Sequence, residues 1–173
     1  MIIAIWGASA TAKTSVAKYL AGKLGLPLRH CGVAVREAAA DAGIQIENAS
    51  DTLHQSVDDD TREWVRDHAG QGAILEGRFL DQVLIELPGM TLIQAVCASD
   101  IRCKRWSERT QSRFGEAQLA DLDKADDLFR LRMYGSGNRG GQQISLDTSL
   151  GEVNQWTETL LELMEGSRKS EHG

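Results

Sequence analysis

A lysine followed by two hydroxyl side chains closes a loop of small residues near the start of the chain. The loop residues are Gly7, Ala8, Ser9, Ala10, Thr11, Ala12, Lys13, Thr14 and Ser15. They fit the pattern G-x-x-x-x-G-K-[S/T] except at Ala12, where the pattern has glycine. In such loops backbone N–H groups surround a polyphosphate, the lysine contacts the outer phosphates and the next hydroxyl binds Mg²⁺. The residue types therefore predict phosphate binding, with Lys13 on the β- and γ-phosphates, Thr14 on Mg²⁺ and Ser15 near the α-phosphate.

Ala12 is the departure from that pattern. Glycine at this position lets the backbone approach a phosphate without a Cβ atom in the way. Alanine is the best helix former, and Ala12 is expected to lie at the start of a helix. We therefore expect the loop to tolerate the extra methyl group.

The segments on either side of the loop predict a strand and a helix. Residues 1–6 form a continuous apolar run rich in β-branched residues, which is typical of a strand buried on both faces. After the loop, apolar residues recur at helical spacing (Val16, Ala17, Leu20, Ala21 and Leu24), and Gly25 and Pro27 end the helix. The loop thus lies at a helix N-terminus, where free N–H groups and the helix dipole favour an anion.

The rest of the chain alternates between predicted strands and helices. Further strands are expected at 28–31, 73–75, 91–96 and 143–147, and helices at 33–42, 58–68, 79–87, 100–113, 121–134 and 152–164, followed by a polar, frayed tail from Gly166. This order predicts one α/β domain over residues 1–173, with a five-stranded parallel sheet between two helical layers. Ligands of such folds bind at the carboxyl ends of the strands, which is where Glu76, Gly77 and Arg78 fall.

The composition excludes several classes of protein. A formal net charge of −6 argues against a binder of duplex nucleic acid. Apolar runs are too short to cross a membrane, and the chain begins in a strand without the features of a signal peptide. Cys31, Cys97 and Cys103 have no C-x-x-C spacing, so we expect reduced thiols, no cysteine metal site and a cytoplasmic location. The sequence leaves the oligomeric state open.

Several segments together resemble the P-loop nucleoside monophosphate kinases, most closely the short cytidylate kinases. In chain order they are residues 1–28, His30-Cys31-Gly32 with Val35-Arg36-Glu37, Val57-Asp58, residues 73–78, residues 98–105 and residues 144–149. The resemblance covers nearly the whole chain, and it lies in the order and spacing of the segments. It implies a P-loop kinase fold, a helical substrate-binding insertion at about 33–69, a mobile lid at about 110–140, and ATP and Mg²⁺ as cofactors. Besides Ala12, the chain departs from the family at residues 130–137, where Tyr134-Gly135 match but the following acidic residue is missing.

Three side chains are predicted to bind the phosphoryl acceptor. Arg36 offers a bidentate fork for the acceptor phosphate, or else pairs with a neighbouring acid on its helix. Arg78 is expected to contact the acceptor from the end of a buried strand. Asp58 either hydrogen-bonds a base or ribose, or belongs to an N-terminal cap formed by residues 58–60. Glu76 either orients Mg²⁺ through water or pairs with Arg78.

Basic residues are concentrated between residues 102 and 113 (Arg102, Lys104, Arg105, Arg109 and Arg113), with Glu108 as the one acid. Arg105 and Arg109 are four residues apart and share a helix face. With Arg130 and Arg132 they are predicted to close over the transferring phosphoryl group as catalytic arginines. The alternative is a solvated helix face.

The leading functional hypothesis is transfer of phosphate from ATP to a nucleoside monophosphate such as CMP or dCMP. A second hypothesis keeps the fold and replaces the acceptor with a small hydroxylated metabolite or an antibiotic. A third is a nucleotide-binding module that turns over weakly because of Ala12. The expected partners are ATP and a small-molecule acceptor, with no duplex nucleic acid and no membrane.

Overall fold

Five short strands form one parallel sheet through the centre of the molecule. The computed structural model describes residues 1–135 and 143–170, with side chains up to residue 164. The strands are β1 Ile2–Trp6, β2 Leu28–His30, β3 Ala73–Gly77, β4 Met90–Val96 and β5 Gln143–Asp147, in the spatial order β2-β3-β1-β4-β5. Continuous apolar runs suit strands covered on both faces, and both Ile3 and Ile5 are fully buried.

Helices cover both faces of the sheet. They are α1 Lys13–Leu24, α2 Cys31–Asp41, α3 Asp51–Asp67, α4 Leu80–Val83, α5 Ser99–Thr110, α6 Glu116–Tyr134 and α7 Val153–Ser170. On one face, Ile5 packs in a core cluster with Leu20 of α1 and Leu160 of α7. On the other, Leu75 packs with Val65 of α3 and with residues of α4. The predicted three-layer α/β/α fold with five parallel strands is confirmed.

The register brings the ends of three central strands to one edge. Trp6 at the end of β1 pairs with Gly77 of β3 on one side and with Gln94 of β4 on the other. The chain leaves β1 towards β2 at one edge and later returns to β4 on the opposite side. Such a reversal opens a crevice at the carboxyl ends of the strands, and the Gly7–Ser15 loop lies there.

Several predicted boundaries are wrong. Helix α3 begins at Asp51, where the Ser50 hydroxyl accepts a hydrogen bond from the Leu53 N–H at 3.2 Å. Asp58 therefore lies inside the helix, and residues 58–60 do not cap it. The first turns of α3 are polar, so apolar spacing does not reveal them.

Further differences concern α4, α6 and α7. Helix α6 begins at Glu116, five residues before its predicted start. The predicted helix over 79–87 is limited to Leu80–Val83, because the Val83 carbonyl accepts from Arg62 Nε at 2.7 Å instead of continuing a helix. Helix α7 continues past Gly166 to Ser170, so the expected tail is helical that far. None of the helices in the described ranges is long and apolar enough to cross a membrane.

Candidate functional site

The loop after β1 begins with a glycine at a position that leaves no room for a Cβ atom. Gly7 has φ 139°, and a Cβ atom there would overlap the carbonyl oxygen of Ala95 on β4. The close approach of the two backbones lets the chain turn sharply out of the sheet. The loop that follows therefore lies directly over the strand ends.

Ala12 lies at the N-cap of α1 in a left-handed conformation, with φ 58° and ψ 17°. It lies at the start of the helix, as expected, but the helix itself begins at Lys13 and Ala12 is not in a helical conformation. Ala10 is also left-handed, with φ 63°. Each such L-residue costs roughly 1–2 kcal/mol, so this loop holds strain that glycine would avoid. The partly buried Ala12 also packs against the core cluster that contains Val16.

Lys13 is folded back into the loop. Its Nζ donates to the Ala8 carbonyl at 2.6 Å, and the Thr11 hydroxyl donates to the same oxygen at 2.9 Å. Burial lowers the pKa of Lys13 from 10.5 to about 8, and the carboxylate of Glu76 opposes that shift. The first N–H groups of α1 lack partners within the helix. The loop therefore offers a poorly hydrated ammonium group beside free N–H donors, which suits a polyphosphate.

The loop also suits Mg²⁺. This ion keeps most of its waters and is usually held by substrate phosphates and one or two protein oxygens. The exposed Thr14, in the first turn of α1, supplies a hydroxyl for such a site. Glu76 is nearly buried, and its Oε1 lies 3.0 Å from His30 Nδ1. Its predicted alternative, an ion pair with Arg78, is not formed.

Two side chains hold the loop from behind. The hydroxyl of the fully buried Thr148 lies 3.2 Å from the Thr11 carbonyl oxygen. Arg105 in turn donates to the Thr148 carbonyl at 2.6 Å and to its hydroxyl at 3.1 Å. The Asp147-Thr148-Ser149 segment of the sequence thus supports the loop, and Arg105 fixes that segment instead of lining either cavity described below.

Arg102 of α5 supports the loop from the other side. Its Nε donates to the Ser9 carbonyl at 2.9 Å. Its two terminal nitrogens bind both oxygens of Asp123 on α6, at 2.8 and 2.6 Å. The sequence did not identify these two residues as a pair. Their opposite charges are visible in the sequence, but nothing local relates α5 to α6.

Two cavities open around this edge of the sheet. The loop cavity, about 450 Å³, lies between the loop, the ends of β1 and β4, and helix α6. Its lining includes Trp6, whose indole N–H is buried without a hydrogen-bond partner among the described residues. The outer cavity, about 530 Å³, lies among α2, α3, α4 and α6. Arg78, Phe79 and Asp126 line both cavities, so the two cavities share one wall.

The predicted acceptor residues all line the outer cavity. Arg36 reaches it from α2, and no described carboxylate lies within ion-pair distance of this guanidinium. Asp58 accepts a hydrogen bond from the Tyr134 hydroxyl at 2.8 Å. Burial raises the pKa of the Asp58 carboxyl, and burial together with Asp58 raises the pKa of Tyr134. Arg78 donates to Asp126 Oδ1 at 2.5 Å on the shared wall.

The four predicted catalytic arginines are not gathered at one point. Arg130 lines the loop cavity, where it pairs with Asp81 and lies over the ring of Trp6. Arg132 lines the outer cavity and binds Asp51 at 2.9 Å.

Arg109 stacks on Trp106, with its Cζ 4.2 Å from the ring centroid. Burial, Arg78 and Arg36 lower the pKa of Arg109. These three guanidinium groups therefore form a positive cluster near the outer cavity. Residues 136 and 137, where the acidic residue of the family is missing, lie outside the described residues.

Comparisons with known proteins identify the fold. Neither a protein-family model nor a curated protein sequence matches the chain. Among solved structures, an uncharacterised protein from Eubacterium ventriosum is 20% identical, with a TM-score of 0.66, over 95% of this chain and 98% of that one. A gluconokinase from Sinorhizobium meliloti is 14% identical, with a TM-score of 0.63, over 97% of this chain and 95% of that one.

A third structure points the same way. A shikimate kinase from Acinetobacter baumannii in complex with shikimate is 15% identical, with a TM-score of 0.61, over 96% of this chain and 93% of that one. The chain therefore has the fold of the P-loop kinases.

Proposed function

We propose that the protein transfers the γ-phosphoryl group of Mg-ATP to a small acceptor held in the outer cavity. The observation that carries this proposal is the wall of Arg78, Phe79 and Asp126 shared by the two cavities. Phosphoryl transfer depends mainly on holding donor and acceptor in line and on neutralising charge between them. Two cavities that meet beside a phosphate-binding loop provide that arrangement.

On the donor side, the loop from Gly7 to Ser15 would hold the triphosphate, with Lys13 on the β- and γ-phosphates. Thr14 would hold Mg²⁺, with Glu76 acting through water, and the bound ion would neutralise charge on the β- and γ-phosphate oxygens. Of the predicted catalytic arginines, Arg130 is the best supported, because it lines the loop cavity.

On the acceptor side, the lining favours a small anionic molecule that also has hydroxyl groups. Arg36 has no described ion-pair partner, and Arg78 and Arg109 add positive charge close to it. Guanidinium groups that lie close together without enough carboxylates favour an anion, although Arg36, Arg78 and Arg109 are all exposed. A cavity of about 530 Å³ suits a metabolite-sized ligand. Kinases of gluconate and shikimate among the similar folds agree with an acceptor of this size.

CMP or dCMP is the second candidate acceptor. The rings of Phe79 and Phe129 stack at 5.2 Å in the wall of the outer cavity and offer an apolar face for a pyrimidine. Asp58 in the same cavity offers a carboxylate to an exocyclic amine. The cation cluster at Arg36 would then hold the monophosphate.

An acceptor panel tests the proposal. ADP release is measured with D-gluconate, shikimate, CMP and dCMP, and each product is identified by mass. We expect transfer to at least one acceptor, and loss of both transfer and tight ATP binding in Lys13→Met. Lys18→Met, at an exposed position of the same helix, is the matched control. Tight ATP binding without transfer would support the binding-module hypothesis, and no ATP binding would refute the donor site.

A further inference from the structure

Asp126 of α6 has one carboxylate oxygen in use and one free. Oδ1 accepts the hydrogen bond from Arg78, while Oδ2 is buried and has no hydrogen-bond partner among the described residues. A buried polar atom without a partner is rare in a native protein and costs free energy. The side chain is 14% exposed and lies on the wall shared by the two cavities. Of the described residues, Asp126 is the one carboxylate that lines both cavities, so its side chain lies where the two substrates would meet.

Charged groups from three other elements surround this carboxylate. Arg78 after β3 and Lys13 of α1 stabilise its charge, and its own helix contributes the like charge of Asp123. Arg102 of α5 also interacts with it. Burial is the largest influence, and it raises the pKa of the Asp126 carboxyl above its ordinary value of 3.8. Such a carboxylate is more basic than an exposed aspartate.

We propose that Asp126 is the general base of the transfer reaction, and that the acceptor atom is therefore a hydroxyl oxygen. This inference rests on the proposed kinase function and names the class of acceptor. The hydroxyl oxygen forms a bond to the γ-phosphorus as its proton moves to the Asp126 carboxylate. The bond from the γ-phosphorus to the β–γ bridging oxygen breaks, and its electron pair leaves on ADP.

Arg78 orients the base. Its hydrogen bond fixes Oδ1, so rotation of the carboxylate is restricted and the group stays at the shared wall. A phosphate acceptor such as CMP is already ionised at its attacking oxygen and needs no base. The role of Asp126 therefore separates the two acceptor classes.

The test compares Asp126→Asn with wild-type full-length protein. ADP release is measured from ATP with whichever acceptor of the panel is fastest, water included. Asparagine keeps an oxygen for Arg78 but cannot take a proton, so we expect kcat to fall about 10²- to 10⁴-fold. The ATP Kd should stay within about threefold, since a base contributes to the transition state more than to binding. Asp121→Asn, at an exposed position of the same helix, is the matched control.

The pH profile separates a base from a residue that only positions others. In wild type, kcat should fall at acidic pH as Asp126 is protonated, and Asp126→Asn should lose that limb. Asp126→Glu, which keeps a displaced carboxylate, should retain the limb at a reduced rate, and it replaces the amide variant if that one does not fold. Transfer by Asp126→Asn at the wild-type rate and with the wild-type pH profile would overturn the base while leaving the kinase intact. No ADP release by the wild type under any condition would overturn both proposals.

Discussion

Replacing Arg102 with methionine should both destabilise the protein and weaken ATP binding. Arg102 joins the loop to α6 through the Ser9 carbonyl and the two oxygens of Asp123. Methionine keeps much of the apolar stem but supplies no donor. The loop would then lose its connection to helix α6.

The size of the expected stability loss follows from the exposure of the two groups that Arg102 binds. Asp123 is 39% exposed, so water replaces much of the ion pair and its loss costs about 1 kcal/mol. The Ser9 residue is nearly buried, and a carbonyl left without its charged donor costs about 1–3 kcal/mol. The free energy of unfolding should fall by about 2–4 kcal/mol, which lowers the Tm by about 5–15 °C in a domain of this size.

ATP affinity should fall because the loop loses a restraint. Ordering one residue costs about 1–2 kcal/mol, so the ATP Kd should rise about five- to thirtyfold. Urea denaturation and titration calorimetry measure the two effects. Arg113→Met, at an exposed position, is the control and should change stability by less than about 0.5 kcal/mol. If Arg102→Met matches that control in both assays, Arg102 does not support the loop.

Two further predictions concern the loop itself. Gly7→Ala should cost about 2–5 kcal/mol in the free energy of unfolding, since its Cβ would overlap the Ala95 carbonyl at a φ that suits glycine. Gly22→Ala, in open space within α1, should instead stabilise by about 1 kcal/mol, and equal effects of the two changes in a urea titration would count against the close approach. The pKa of Lys13, about 8 against 10.5 unfolded, means that the unfolded chain binds the extra proton between these values, so the free energy of unfolding should rise with pH there. Lys13→Met should remove that rise. ATP binding by wild type above about pH 8 should take up a proton, which calorimetry in buffers of different ionisation heat detects. A pH-independent ATP Kd across this range would contradict the lowered pKa of Lys13.

Much of the fold follows from local sequence patterns. Apolar runs such as 1–6 and 73–75 predict buried strands because the pattern lies entirely within the few residues that form the strand. Strand β5 has the bounds that its sequence predicts. The polar start of α3 and the shortened α4 were mispredicted, because a serine cap and the bond from Arg62 decide them.

The candidate site also has a part that the sequence predicts and a part that only the tertiary structure gives. The residues from Gly7 to Ser15 form a phosphate-binding pattern within nine positions, so the sequence alone placed Lys13 at a helix start. It could not give the left-handed backbone of Ala12, which follows from how the loop joins β1 to α1. Only the tertiary structure brought α6 across the strand ends, where Asp126 meets Arg78 from 48 positions away in the chain. Contacts of that kind depend on how helices pack on the sheet, and no local spacing records them.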